Sequence, residues 1–295
     1  MPTSSRVRAL VLSLLATMLA GSVMAGAASA EAGPFWHHRA VGGKGEGEKI
    51  EPKAPENFSG SGGVQTFMVE ITPSLTIEFA SAATQVKGAF FNNEHQGQAK
   101  IVIFYQKPEI KINGEKRSEC KIAVGQQGQF NDILQLKGHL AWKWNGNKTQ
   151  LEEAPQREQT WGIAFTQTEP QEQSGRPLLD MRTGSGVFAE IAITGRSCGA
   201  LGGILPIMGS EVALPSPRGL GEFTKRLTIR TIPSGLLPHE ILGNEVEGQG
   251  LLQHLWVGGG YQPLILGLTD AGGAASITGQ TEIEAAQQEM AVVEK

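Results

Sequence analysis

From residue 64 onward the chain is a succession of short apolar runs with the two-residue alternation of a pleated strand, cut by turn formers. This pattern restricts it to β architectures. Leu75-Thr76-Ile77-Glu78-Phe79 alternates apolar and polar side chains. Lys100-Ile101-Val102-Ile103-Phe104-Tyr105 is apolar on both faces, the texture of a strand held between two layers. Runs at 133–142, 160–165, 187–194, 226–231 and 275–281 repeat the theme. With 39 Gly and 15 Pro to punctuate them, the strands are short and closely spaced. The expected fold is all-β: antiparallel and β-sandwich-like, as one large or two abutting sandwiches. Hydrophobic residues make up 40% of the chain, enough to fill such a core. Only 281–294 is rich in helix formers, with Ile283, Ala286, Met290 and Val293 on one stripe. That stretch fits a helix and a closing strand equally well.

Ahead of the strands the composition differs. Residues 1–30 carry Arg6 and Arg8 but no acid, run apolar through Ala9–Ala20, and end in Ala28-Ser29-Ala30. A basic start, an apolar stretch and an A-x-A end make a secretory signal peptide, with cleavage expected between Ala30 and Glu31. No Cys follows the cut and no second long apolar run follows, so no membrane insertion is expected after cleavage. Residues 31–63 hold Gly42–Gly47, Pro52, Pro55 and Ser59–Gly63, and read as a flexible Gly/Pro-rich leader in which Pro34-Phe35-Trp36 is the one apolar anchor. Residues 64–295 form the β-rich domain, with a boundary near 205–220 if it has two parts.

Export fixes the reading of the cysteines. There are two, Cys120 and Cys198, and in an oxidising compartment they read as one disulfide. It closes a loop of about 79 residues, worth roughly 4 kcal/mol in the chain-entropy model. Without residues 1–30 the chain has 23 basic and 29 acidic side chains. That balance argues against nucleic acid as a partner, because phosphates call for a basic face.

The chemistry-bearing residues are few. A faint repeat places Leu75-Thr76-Ile77, Asn93–Gln98 and Tyr105-Gln106 in the same order as Leu227-Thr228-Ile229, Asn244–Gln249 and Tyr261-Gln262. Its two turns carry Glu94 and Glu245, a candidate carboxylate pair for glycoside hydrolysis if the turns converge. Trp142 and Trp144 are two apart, so a strand presents both rings on one face, either as core or as a stacking platform for a sugar. Ser118-Glu119-Cys120-Lys121 has the S-x-x-K spacing of serine-lysine hydrolases, but it leads into a strand-like run and contains a disulfide Cys. The histidines lack metal-ligand spacing, so no metal site and no cofactor are expected.

Four segments resemble an uncharacterised family of secreted bacterial proteins: Gly33–Trp36, Phe91–Gln98, Leu136–Trp144 and the tail 275–295. The resemblance implies export and supplies no catalytic residues. The expected function is therefore that of a secreted, non-catalytic structural or binding module for an extracellular glycan or protein. The alternatives are a carbohydrate-binding protein using Trp142 and Trp144, and a glycosidase-like hydrolase using Glu94 and Glu245.

Overall fold

The computed structural model describes residues 34–72, 74–94, 96–126, 128–142, 161–167, 187–195, 198, 202–209, 211–217, 219–232, 253–257, 260–264, 266–268 and 274–294. The signal-like segment 1–30 lies outside them. The described residues contain no helix. Their strands are β1 (Phe35–Arg39), β2 (Glu48–Lys49), β3 (Glu56–Gly62), β4 (Gln65–Thr72), β5 (Leu75–Asn92), β6 (Gly97–Ile112), β7 (Glu115–Lys116), β8 (Lys121–Gln126), β9 (Gln129–Phe130) and β10 (Ile133–Trp142). They continue as β11 (Trp161–Gln167), β12 (Val187–Thr194), β13 (Gly203–Gly209), β14 (Glu211–Ser216), β15 (Arg226–Ile232), β16 (Gln253–Val257), β17 (Gly260–Leu264), β18 (Leu266–Leu268), β19 (Ala274–Ala285) and β20 (Glu289–Val293).

The all-β, antiparallel, sandwich-like architecture expected from the alternating runs is found, and its main-chain pairing closes on itself. The order β15-β14-β11-β10-β6-β5-β3-β19 returns to β15, because Arg226–Thr231 pair with Gly279–Glu284. An eight-stranded ring of this kind has an interior just wide enough to be filled by side chains. Ile101, Leu134, Phe165, Ile229 and Ile283 fill it from the ring strands, and Phe188 of β12 enters from outside the ring. Beyond the ring, β19 also pairs with β18, and a branch continues β18-β13-β12-β8-β9. The chain passes from branch to ring between Gly209 and Glu211. One contiguous hydrophobic cluster serves both.

The long hairpin β5–β6 keeps one face in the core through a change of phase, Phe79 on one side of it packing on Tyr105 on the other. On β5 the buried positions run Ile77, Phe79, Ser81 and then Thr84, Val86, Phe90; on β6 they run Ala99, Ile101, Tyr105 and then Ile110. Period-two alternation slips by one residue on both strands at the same level. Lys107 takes φ 48° there. The buried Ser81 hydroxyl accepts the Gln106 N–H at 2.9 Å and lies 2.7 Å from the Ala83 carbonyl, covering the backbone groups that the slip exposes.

The segment 31–63, read from its Gly and Pro content as a flexible leader, instead supplies β1, β2 and β3. β3 is a central strand, paired with β5 on one side and β19 on the other. Gly60 suits that position because a Cβ there would collide with the backbone of Glu282 and Ile283. β1 pairs with β2 and β20, so the two ends of the described chain lie side by side. Trp36 is 1% exposed and packs edge-on to Trp161 and against Phe90. Arg39 adds a 3.0 Å ion pair to Glu289 and stacks over Phe223.

The ambiguous stretch 281–294 is strand, split into β19 and β20. Helix propensity amounts to tenths of a kcal/mol per residue, and ladders on both flanks override it. The intervening turn is held by Glu56, whose Oε1 accepts the Gln287 and Gln288 N–H groups at 2.8 and 3.1 Å.

The disulfide Cys120–Cys198 is formed, with Cα atoms 5.7 Å apart. It closes the end of the β8–β12 ladder, whose last pair is Lys121 with Thr194. Gly195 follows at φ 134°, and any side chain there would meet the Glu119 carbonyl and Cys198 Sγ. Ser118 and Lys121 flank a turn leading into β8, so the helix that S-x-x-K chemistry requires is not present.

Candidate functional site

A groove of about 590 Å³ opens at the end of the ring where the β5–β6 hairpin turns. Lys49, Glu51 and Pro52 line it from the β2–β3 connection, and Asn93 and Glu94 from the hairpin turn. Ile50 and Asn92, both buried, also line it. Asn92 is the post that positions the groove. Its carboxamide accepts the Trp36 N–H at 2.8 Å and donates to the Trp36 and Ile50 carbonyls at 2.8 and 3.0 Å. Asn93 and Gln96 close the turn: Asn93 Oδ1 accepts the Gln96 N–H at 2.7 Å, and the Gln96 carbonyl accepts the Asn93 N–H.

His139 of β10 steadies the same turn, with Nδ1 3.0 Å from Gln96 Nε2. Burial lowers its pKa to about 4, with the Lys137 charge adding to the effect. The ring is thus neutral at physiological pH, and a neutral Nδ1 accepts from the amide. Lys49 is engaged as well, with Nζ 3.7 Å from the centre of the Phe35 ring.

The residues expected from sequence are distributed as follows. Glu94 is exposed at the hairpin tip, on the rim of the groove. Glu245 and Trp144 lie outside the described residues. Trp142 ends β10, paired through its backbone with Trp161, and its side chain lies outside the description. The first half of the repeat falls on β5, the hairpin turn and β6; its Leu227-Thr228-Ile229 falls on β15. His37 and His38 are successive residues of β1 and so point to opposite faces.

A second polar cluster lies in the lumen, where sequence reasoning did not look. Gln65 Nε2 donates to Thr281 Oγ1 at 3.1 Å, and Glu211, 1% exposed, lines the same cavity of about 40 Å³. The Tyr105 phenol also lines it, its pKa raised by burial. A signal was present: Gln65 is in phase with Phe67 and Val69, and Thr281 with Ile277 and Ile283. A polar residue on the apolar phase of a strand is a buried polar residue, which must find a partner.

No protein-family model, curated protein or solved structure matches the chain.

Proposed function

We propose that the mature chain acts outside the cytoplasm as a non-catalytic structural or binding module, with the groove at Asn92–Glu94 as its ligand-facing surface. The observation that carries the reading is the Cys120–Cys198 cross-link. Structural disulfides persist in oxidising compartments, and the basic start, apolar stretch and A-x-A end of residues 1–30 fit a secretory signal. The ring interior leaves little room for a ligand. Its free volume is about 40 Å³, against the several hundred Å³ of an ordinary small-molecule site. The groove is larger but open, lined by one ammonium, two carboxylates and the exposed Asn93 side chain. Such a surface suits hydrogen bonding to an extracellular glycan or to a polar protein loop.

Expression of residues 1–295 in a bacterial host tests the compartment. The expected product is found outside the cytoplasm, begins at Glu31 and has no free thiol. A full-length, reduced cytoplasmic product would overturn the reading. For the ligand, a glycan array is probed with the mature protein and with Glu94→Ala and Trp142→Ala. Loss of a signal with Glu94→Ala assigns the groove, and loss with Trp142→Ala alone assigns the aromatic platform instead.

A further inference from the structure

Gln65 of β4 and Thr281 of β19 are 216 residues apart in the chain, and their side chains meet inside the ring. They are 4% and 6% exposed, and both line the lumen cavity together with the carboxylate of Glu211. Two glycines clear space around the pair. A methyl group on Gly279 would stand 3.3 Å from Gln65 Cδ, and one on Gly62 would stand 2.8 Å from Thr281 Oγ1. Among the described residues the Gln65 carbonyl oxygen accepts no hydrogen bond. A hydroxyl is therefore held against a carboxamide in a buried, mostly apolar chamber that also contains a carboxylate.

We infer that Gln65 and Thr281 condense into an intramolecular ester cross-link. Thr281 Oγ attacks Gln65 Cδ while Glu211 takes the hydroxyl proton. The tetrahedral adduct then collapses: the Cδ–Nε2 bond breaks, and the nitrogen leaves as ammonia with the proton returned from Glu211. One O–H and one C–N bond are lost, one C–O and one N–H bond are gained, and no oxidant or reductant is needed. Well-oriented neighbouring groups react at effective molarities of about 10⁵ M or more. Ammonia escaping into dilute solution draws the exchange forward, and the apolar lumen shields the ester from water. The bond would join β4 to β19 covalently, as the disulfide joins the flanks of β8 and β12. It is independent of export and of any ligand in the groove.

The intact mass of the reduced, denatured mature protein is the test. The expected value is lighter than the sequence by one ammonia, with a peptide pair containing Gln65 and Thr281 that stays linked after proteolysis and separates in hydroxylamine. Thr281→Val should restore the full mass, Thr281→Ser should keep the loss, and Glu211→Gln should slow it. A wild-type protein at full sequence mass overturns the cross-link. So does an ammonia loss that persists in Thr281→Val and maps elsewhere, for example to a succinimide at Asn113-Gly114. Formation at the wild-type rate in Glu211→Gln removes Glu211 as the base.

Discussion

Asn92 grips the backbone of Trp36 from both sides, accepting its N–H and donating to its carbonyl, each at 2.8 Å. One carboxamide thereby fastens the first described strand to the end of the ring and forms the floor of the groove. Deleting it leaves the buried Trp36 N–H without its acceptor, at roughly 1–3 kcal/mol, and removes one of two bonds from the Trp36 and Ile50 carbonyls, which keep the Ile50 and Asn92 N–H groups. Asn92→Ala is expected to lower unfolding stability by about 3 kcal/mol in urea titrations. Trp fluorescence should shift to the red before the global transition as Trp36 loosens.

The disulfide spans 78 residues and pins the ladder that carries Phe188 into the lumen. Cys120→Ser/Cys198→Ser, or reduction of the wild type, should cost about 2–4 kcal/mol. Matched thermal melts with and without reductant check this, and the double variant should be insensitive to reductant. A wild type indifferent to reductant would show that the ring and branch hold without the bond.

His139 gives the protein a defined acid sensitivity. Its pKa is about 4 in the folded state against 6.5 ordinarily, so between these values the unfolded chain binds more protons than the folded one. Stability is full above pH 6.5, falls as pH drops through the window, and loses up to about 3 kcal/mol from this group by pH 4. Denaturant midpoints measured from pH 7 to 4.5 should show this slope in the wild type. His139→Asn should flatten it.

Gly97 sits where Leu140 and Trp36 converge, and a methyl group there would overlap Leu140 Cδ1. Gly97→Ala is expected to destabilise by about 1–3 kcal/mol through overpacking. Leu140→Ala alone should cost about 2–5 kcal/mol through the space it leaves. The double variant should cost less than the sum of the two, because each change relieves the other. Additive costs in a double-mutant cycle would show that the two sites do not share this contact.

Much of the wall was legible in the sequence because side-chain period reports burial directly. Leu75–Phe79 is a strand with its apolar phase inward, as its alternation implies, and Lys100–Tyr105 is a strand that buries Ile101 and Tyr105 while its second apolar face, Val102 and Phe104, is only half-buried. The phase slip at Ser81 and Lys107 was not legible, since a bulge moves the buried face without altering local composition. Nor was the fate of residues 34–63. Gly60 and Gly62 look like linker residues, yet they are where β19 approaches too closely for a side chain. On the site, Glu94 was found at the groove rim, while Asn92, which positions it, gives no local sign of its three long-range bonds.

By itself the sequence determined the fold class and the partner of each cysteine. Alternation at period two and a lone pair of thiols are properties read within a few residues or by simple count. The closure of the ring through β15 and β19, the docking of Trp36 under Asn92, and the meeting of Gln65 with Thr281 were decided only in three dimensions. Each joins residues tens to hundreds of positions apart, and which strands become neighbours depends on how the whole set of apolar faces is buried together.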